Sequence, residues 1–142
     1  MNTVTDLIRP SKPTKFSAQI WTQKCLELLG IDGVTVVIVD TPRLTGETTY
    51  LGMVEKLAIS HTYRLYLAPD TAIPTKKEVI AHECIHIKQH HEGRLNVKNR
   101  TTIEFEGKRY HPPYDPYSPH EKEAFAGMLK LKREVRKALK DD

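Results

Sequence analysis

The chain is poor in several things. It carries two cysteines in 142 residues, Cys25 and Cys84, too few for the disulfide framework of a small secreted domain, so reduced thiols are expected. No apolar run approaches the roughly 20 residues that cross a bilayer. The opening Met1-Asn2-Thr3-Val4-Thr5-Asp6 lacks the basic-then-apolar layout of a signal peptide. Both absences predict a cytoplasmic protein with no membrane partner. Aromatic residues are 7% of the chain and are not interleaved with its basic residues. The net charge of +4 is therefore weak support for nucleic-acid binding. Repeats and low-complexity tracts are also absent.

What is present is an ordinary globular composition, 39% hydrophobic and 28% charged, long enough for one core and too short for two. Residues 1–13, polar and holding Pro10 and Pro13, are expected to form a flexible arm, and residues 14–142 a single domain. Much of the positive excess sits in Lys130, Lys132, Arg133, Arg136, Lys137 and Lys140, partly offset by Glu134 and Asp141-Asp142. That distribution is the solvated face of a helix, with a nucleic-acid surface as the less favoured alternative.

Hydrophobic spacing divides the chain into elements. Across residues 14–29, Phe16, Ile20, Leu28 and Leu29, with Trp21 and Cys25 alongside, recur as the core-facing stripe of a helix that stops at Gly30. The β-branched run 34–39 predicts a buried strand. Residues 50–54 and 63–68 predict two more; in the latter Tyr63, Leu65 and Leu67 alternate with Arg64, Tyr66 and Ala68. Thr75-Lys76-Lys77-Glu78 has the form of a capping box that starts a helix at Lys76, and Gly93 would end it. A hairpin is expected around Glu106-Gly107, then a proline-stiffened loop over 111–117. Ser118, Pro119 and Glu121 then open a last helix reaching about Leu139. The fold class is α+β, with a small mixed or antiparallel sheet packed on the middle helix and flanked by N- and C-terminal helices.

The middle helix carries His82-Glu83-Cys84-Ile85-His86, an H-E-x-x-H sequence. Residues four apart leave the same face about 6 Å apart along the axis, so the two imidazoles can converge on one ion. Glu83, one step on, flanks that ion and can reach a water. The alternative is a solvent-facing stretch with a pair of histidines. Val79, Ile80, Ala81, Cys84, Ile85 and Ile87 argue against it, since they predict that His82 and His86 are at least partly buried, and buried imidazoles need partners. Cys84 is expected to pack. His90 extends the i, i+4 series but lies about 12 Å along the axis from His82, too far to share the ion.

A catalytic zinc takes three protein ligands and leaves a position open. Helical phase puts Glu121 on the face of Ala124, Phe125 and Met128, and Glu123 on the face of Ala126, Gly127 and Lys130. The more apolar face should meet the motif helix, which makes Glu121 the expected third ligand. Glu123 is the alternative if Glu121 only completes the cap at Ser118, and His120, His111 and His61 are weaker substitutes.

With these residues in view, the chain resembles a small zincin metallopeptidase of the gluzincin kind. His82-Glu83-Cys84-Ile85-His86 with Ile87-Lys88-Gln89, and Pro119-His120-Glu121-Lys122-Glu123-Ala124, are similar to segments of short metallopeptidase-like proteins of bacteriophages and bacteria. His120 stands where that pattern usually has an aromatic residue. Other gluzincins place the third ligand three residues before the alanine of Glu-x-x-Ala-Asp or Glu-x-x-Ala-Asn, a position that falls on Glu121. The aspartate or asparagine after the alanine is Phe125 here.

The resemblance implies a zinc endopeptidase with one catalytic ion held by His82, His86 and Glu121. Glu83 would draw the proton from a zinc-bound water as it attacks a peptide carbonyl, then return it to the leaving amine. Tyr114 or Tyr117 could steady the oxyanion, although aromatic packing is the favoured role for both, and the 63–68 strand could serve as an edge along which an extended substrate adds. The alternatives are a catalytically silent zinc-binding protein of peptidase fold with a regulatory or binding role, or a nucleic-acid-associated protein using the basic final helix. Nickel or cobalt in place of zinc is compatible with the same ligands.

Overall fold

The computed structural model describes residues 1–8, 15–40, 51–68, 71–99, 101–111 and 118–140. Among these the chain forms a mixed α+β fold of three helices and two sheets. The elements run β1 (Thr3–Asp6), α1 (Ala18–Leu28), β2 (Thr35–Asp40), β3 (Gly52–Lys56), β4 (Thr62–Leu67), α2 (Ile73–His91), β5 (Leu95–Asn99), β6 (Thr102–Phe105), β7 (Lys108–Tyr110) and α3 (Pro119–Leu139).

The larger sheet has the order β1-β2-β4-β3. β1 and β4 both pair with β2 in parallel, and β3 closes the far side antiparallel to β4. The predicted alternation in β4 holds, with Tyr63, Leu65 and Leu67 all buried. β4 is an interior strand, however, so the expectation that it offers a free edge for substrate is wrong; the outer strands among the described residues are β1 and β3. A strand buried on one face can be recognised from its period, whereas its place in the sheet depends on long-range pairing.

The opening residues also depart from the flexible arm. Residues 3–6 are a strand, and the Asn2 side chain locks it in place, donating to the Ile31 carbonyl at 2.8 Å and accepting from the Val34 amide at 3.1 Å. Only Val4 in this segment enters the core, so the sequence pattern is too short to register. Residues 9–13 lie outside the described residues.

In α1, Trp21, Cys25 and Leu26 turn inward, while Ile20 and Leu28 face outward. The helix cannot bury both apolar rows, and the row holding the largest side chain is the one that packs. The middle helix starts earlier than its capping box predicts, with Ala72 at the cap and Pro74 in the first turn. Glu78 instead pairs with Lys132 of α3 at 3.0 Å. α2 ends as expected: Gly93 takes φ 76°, and the amides of Gly93 and Arg94 close on the carbonyls of His90 and Gln89.

β5 was not expected; with the predicted hairpin it makes a three-stranded antiparallel sheet, β5-β6-β7. Glu106 and Gly107 both have positive φ, as a two-residue hairpin turn requires. α3 opens at Pro119 and reaches Leu139, although Ser118 makes no side-chain cap hydrogen bond. One buried apolar cluster joins side chains from β1, α1, β2, β4, α2 and α3. No helix among the described residues is long and apolar enough to cross a membrane.

Candidate metal centre

The centre is built where the second half of α2 crosses the first turns of α3. The two helices approach closely: a Cβ on Gly127 would stand 3.0 Å from Ile85 Cδ1. Ile80, Ala81, Cys84 and Ile87 fill the core side of α2. This packing sets the rotation of α2 and carries the motif inward, so His82, Glu83 and His86 are all buried, at 8%, 7% and 8% exposure. The solvent-facing alternative is thereby excluded.

His82 Nε2 and His86 Nε2 stand 3.2 Å apart. Glu121, from the first turn of α3, brings its carboxylate to within 3.5 Å of His82 Nε2 and 2.5 Å of His86 Nε2. These are the residues expected as ligands, and their ligand-type atoms all lie within 4.8 Å of one another. Among the described residues no other group of three ligand-type side chains converges in this way. Donor atoms bound about 2.0–2.1 Å from a tetrahedral zinc stand roughly 3.3 Å from each other, so two of the three separations already suit the ion. The third is that of a carboxylate bonded directly to an imidazole. Two imidazoles and one carboxylate are also a donor set that zinc accepts while keeping a position open.

The charges are consistent with this arrangement. Burial pulls the Glu121 carboxyl upward, but hydrogen bonds from His82 and His86 outweigh it and hold the group far below the usual carboxylate range. His86 is pulled down by burial and raised more strongly by Glu121 and Glu83, so it ends above its ordinary value. Burial raises Glu83, against the pull of the neighbouring imidazoles. Glu83 also lies close to the outer strand β3. A Cβ at Gly52 would fall 2.3 Å from Val79 Cγ1 and 3.5 Å from Glu83 Cγ, so the absence of a side chain there lets β3 run against the motif.

The alternative ligands are elsewhere. Glu123 is engaged by Arg94 and Gln89 and is not one of the converging ligand-type residues. His120 is buried among His86, Phe105 and Tyr110. His111 Nδ1 meets the Thr101 carbonyl at 3.0 Å, and His61 stacks on His91. His90 Nδ1 meets the Leu95 carbonyl at 3.0 Å, away from the centre, in agreement with its exclusion. Cys84 packs as expected, in contact with Cys25. Tyr114 and Tyr117 lie outside the described residues.

Three residues of the site's surroundings escaped the sequence reading. Gln89 accepts from His86 Nδ1 at 2.8 Å, and its i+3 spacing from His86 was a usable signal. Gly52 was legible only as an isolated glycine in a strand. Arg94, which binds Glu92, Glu106 and Glu123, joins elements distant in sequence and left no local mark. No family model, curated protein or solved structure matches the chain.

Proposed function

We propose that this chain is a zinc-dependent metallopeptidase of zincin-like fold that hydrolyses peptide bonds within a protein or peptide. The observation that supports the reading is the convergence of His82, His86 and Glu121 at one buried point, with Glu83 in the same cluster. A zinc ion held by those three side chains would act as a Lewis acid, bringing the pKa of a water towards about 7.

The remaining chemistry belongs to the chain. Glu83 takes a proton from the attacking water, whose oxygen bonds to the scissile carbonyl carbon. As the carbon–nitrogen bond breaks, Glu83 delivers that proton to the departing amine. β3 pairs on one side only among the described residues, and Gly52 holds it against Glu83. An extended substrate adding to that strand would therefore pass close to the proton carrier, bound mainly through its backbone.

The test is zinc content and peptide hydrolysis measured on the same preparations. Wild type is expected to hold one zinc and cleave a denatured protein or a mixed peptide library. Glu83→Gln should keep the metal and lose hydrolysis by roughly 100-fold or more. An unaltered rate in Glu83→Gln would refute the catalytic assignment, and stoichiometric zinc without hydrolysis in wild type would favour the silent zinc-binding alternative.

A further inference from the structure

We infer that Gln89 is a positioning residue for the metal centre, and that Glu123, clamped by Arg94, dictates which way the Gln89 amide faces. The inference rests on the zinc reading of the site but makes its own prediction for the metal-free protein.

Gln89 is fully buried on α2, one turn beyond His86. Its Nε2 faces two acceptors, the His120 carbonyl at 3.0 Å and Glu123 Oε1 at 3.2 Å. An amide nitrogen has two hydrogens to donate and the amide oxygen has none, so a pair of acceptors on one side settles the orientation. Flipping the amide would set its oxygen against a carbonyl and a carboxylate, both acceptors. The oxygen is thus turned to His86 Nδ1, at 2.8 Å, and an acceptor there requires that nitrogen to carry a hydrogen. The ring is then held with Nε2 towards His82 and Glu121, the side on which a metal would bind.

Glu123 can play this part because it is itself fixed. Arg94 holds one Glu123 oxygen at 2.9 Å and the other at 2.5 Å, and the same guanidinium pairs with Glu92 and Glu106 and lies over the Phe105 ring. Arg94 acts through Glu123. It holds the carboxylate that holds the amide that holds the ring, and so joins the β5–β7 sheet to the metal centre. Outer partners of ligand histidines commonly account for about 10–100-fold in metal affinity.

The experiment compares wild type, Gln89→Met, Glu123→Ala and the double variant. Zinc affinity is read by chelator competition, and the His86 Nδ1–H signal by NMR on metal-free, isotope-labelled protein. Gln89→Met is expected to weaken zinc about 10–100-fold and to abolish the protected Nδ1–H resonance. Glu123→Ala is expected to weaken zinc several-fold, an effect that vanishes in the Gln89→Met background because the two residues act in series. Zinc affinity within twofold of wild type in Gln89→Met, or a retained Nδ1–H signal, overturns the inference. Should Gln89→Met fail to fold, unchanged zinc binding and an unchanged signal in Glu123→Ala overturn it instead. Wild type that binds no zinc while its His86 signal depends on Gln89 and Glu123 would refute the metal reading and leave the positioning chain standing.

Discussion

The Phe125 ring lies against the imidazole of His82, centroids 4.4 Å apart and planes inclined by 57°. His82 Nδ1 is buried and has no hydrogen-bond partner among the described residues. An apolar ring thus covers the imidazole whose Nδ1 is unpartnered. Phe125 is half exposed and forms an apolar ledge beside His82. Phe125→Ala is expected to raise KM roughly 3–10-fold for peptides with a large apolar residue next to the scissile bond, with little change for those without one. Equal effects on both peptide sets would show that the ledge does not select substrate.

Glu121 and Glu123 share a helix turn and should behave differently. Glu121→Ala removes a converging donor and is expected to abolish stoichiometric zinc, whereas Glu123→Ala should retain the metal with weakened affinity. Zinc at 100 times its Kd should stabilise the wild type by about 2.7 kcal/mol. A chelator-sensitive rise in melting temperature should therefore appear in wild type and be absent in Glu121→Ala. The reverse pattern would make Glu123 the ligand.

Gly52 should tolerate no side chain. Its Cβ would meet Val79 Cγ1 at 2.3 Å and the Tyr66 carbonyl at 3.2 Å, and β-branched Val79 has little freedom to yield. Gly52→Ala is expected to cost about 1–3 kcal/mol and to displace β3 from Glu83, lowering hydrolysis as well. Adding Val79→Ala should recover part of the loss in stability. Equal denaturation midpoints for wild type and Gly52→Ala would contradict this packing.

His90 should make stability depend on pH. Burial, reinforced by charge on His86, Lys56 and His120, lowers its pKa from 6.5 to about 4, against a hydrogen bond to the Leu95 carbonyl. The unfolded chain therefore binds the proton first. The contribution is complete above about pH 6.5 and is lost as pH falls towards 4, a loss on the order of 3 kcal/mol. The denaturant midpoint should fall less between neutral pH and about pH 4 for His90→Gln than for wild type. Parallel curves for the two proteins would remove His90 from the account.

The thiols should be inert in the folded protein. Both cysteines are fully buried, and contact with Cys25, then burial, holds the Cys84 thiol well above its usual range. Labelling by a thiol reagent is expected to proceed no faster than global unfolding. Rapid modification of either residue under native conditions would show that α1 and α2 separate.

The amino-acid sequence alone determined the features set by local periodicity. The spacing of His82 and His86 puts two imidazoles on one face wherever a helix forms, and the apolar neighbours of that helix require the face to be buried. Helical phase likewise separates Glu121 from Glu123, because residues two apart on a helix cannot share a side. The strand of residues 63–68 was legible from its period of two, and the hairpin from Glu106-Gly107. Tertiary structure alone decided where these elements meet. The rank of β4 inside the sheet, the capture of residues 3–6 as a strand, and the approach of Gly52 to Glu83 each depend on partners tens of residues away. So does the link from Arg94 through Glu123 and Gln89 to His86. Local sequence specifies which face a side chain leaves from, but only the close packing of distant segments specifies what it finds there.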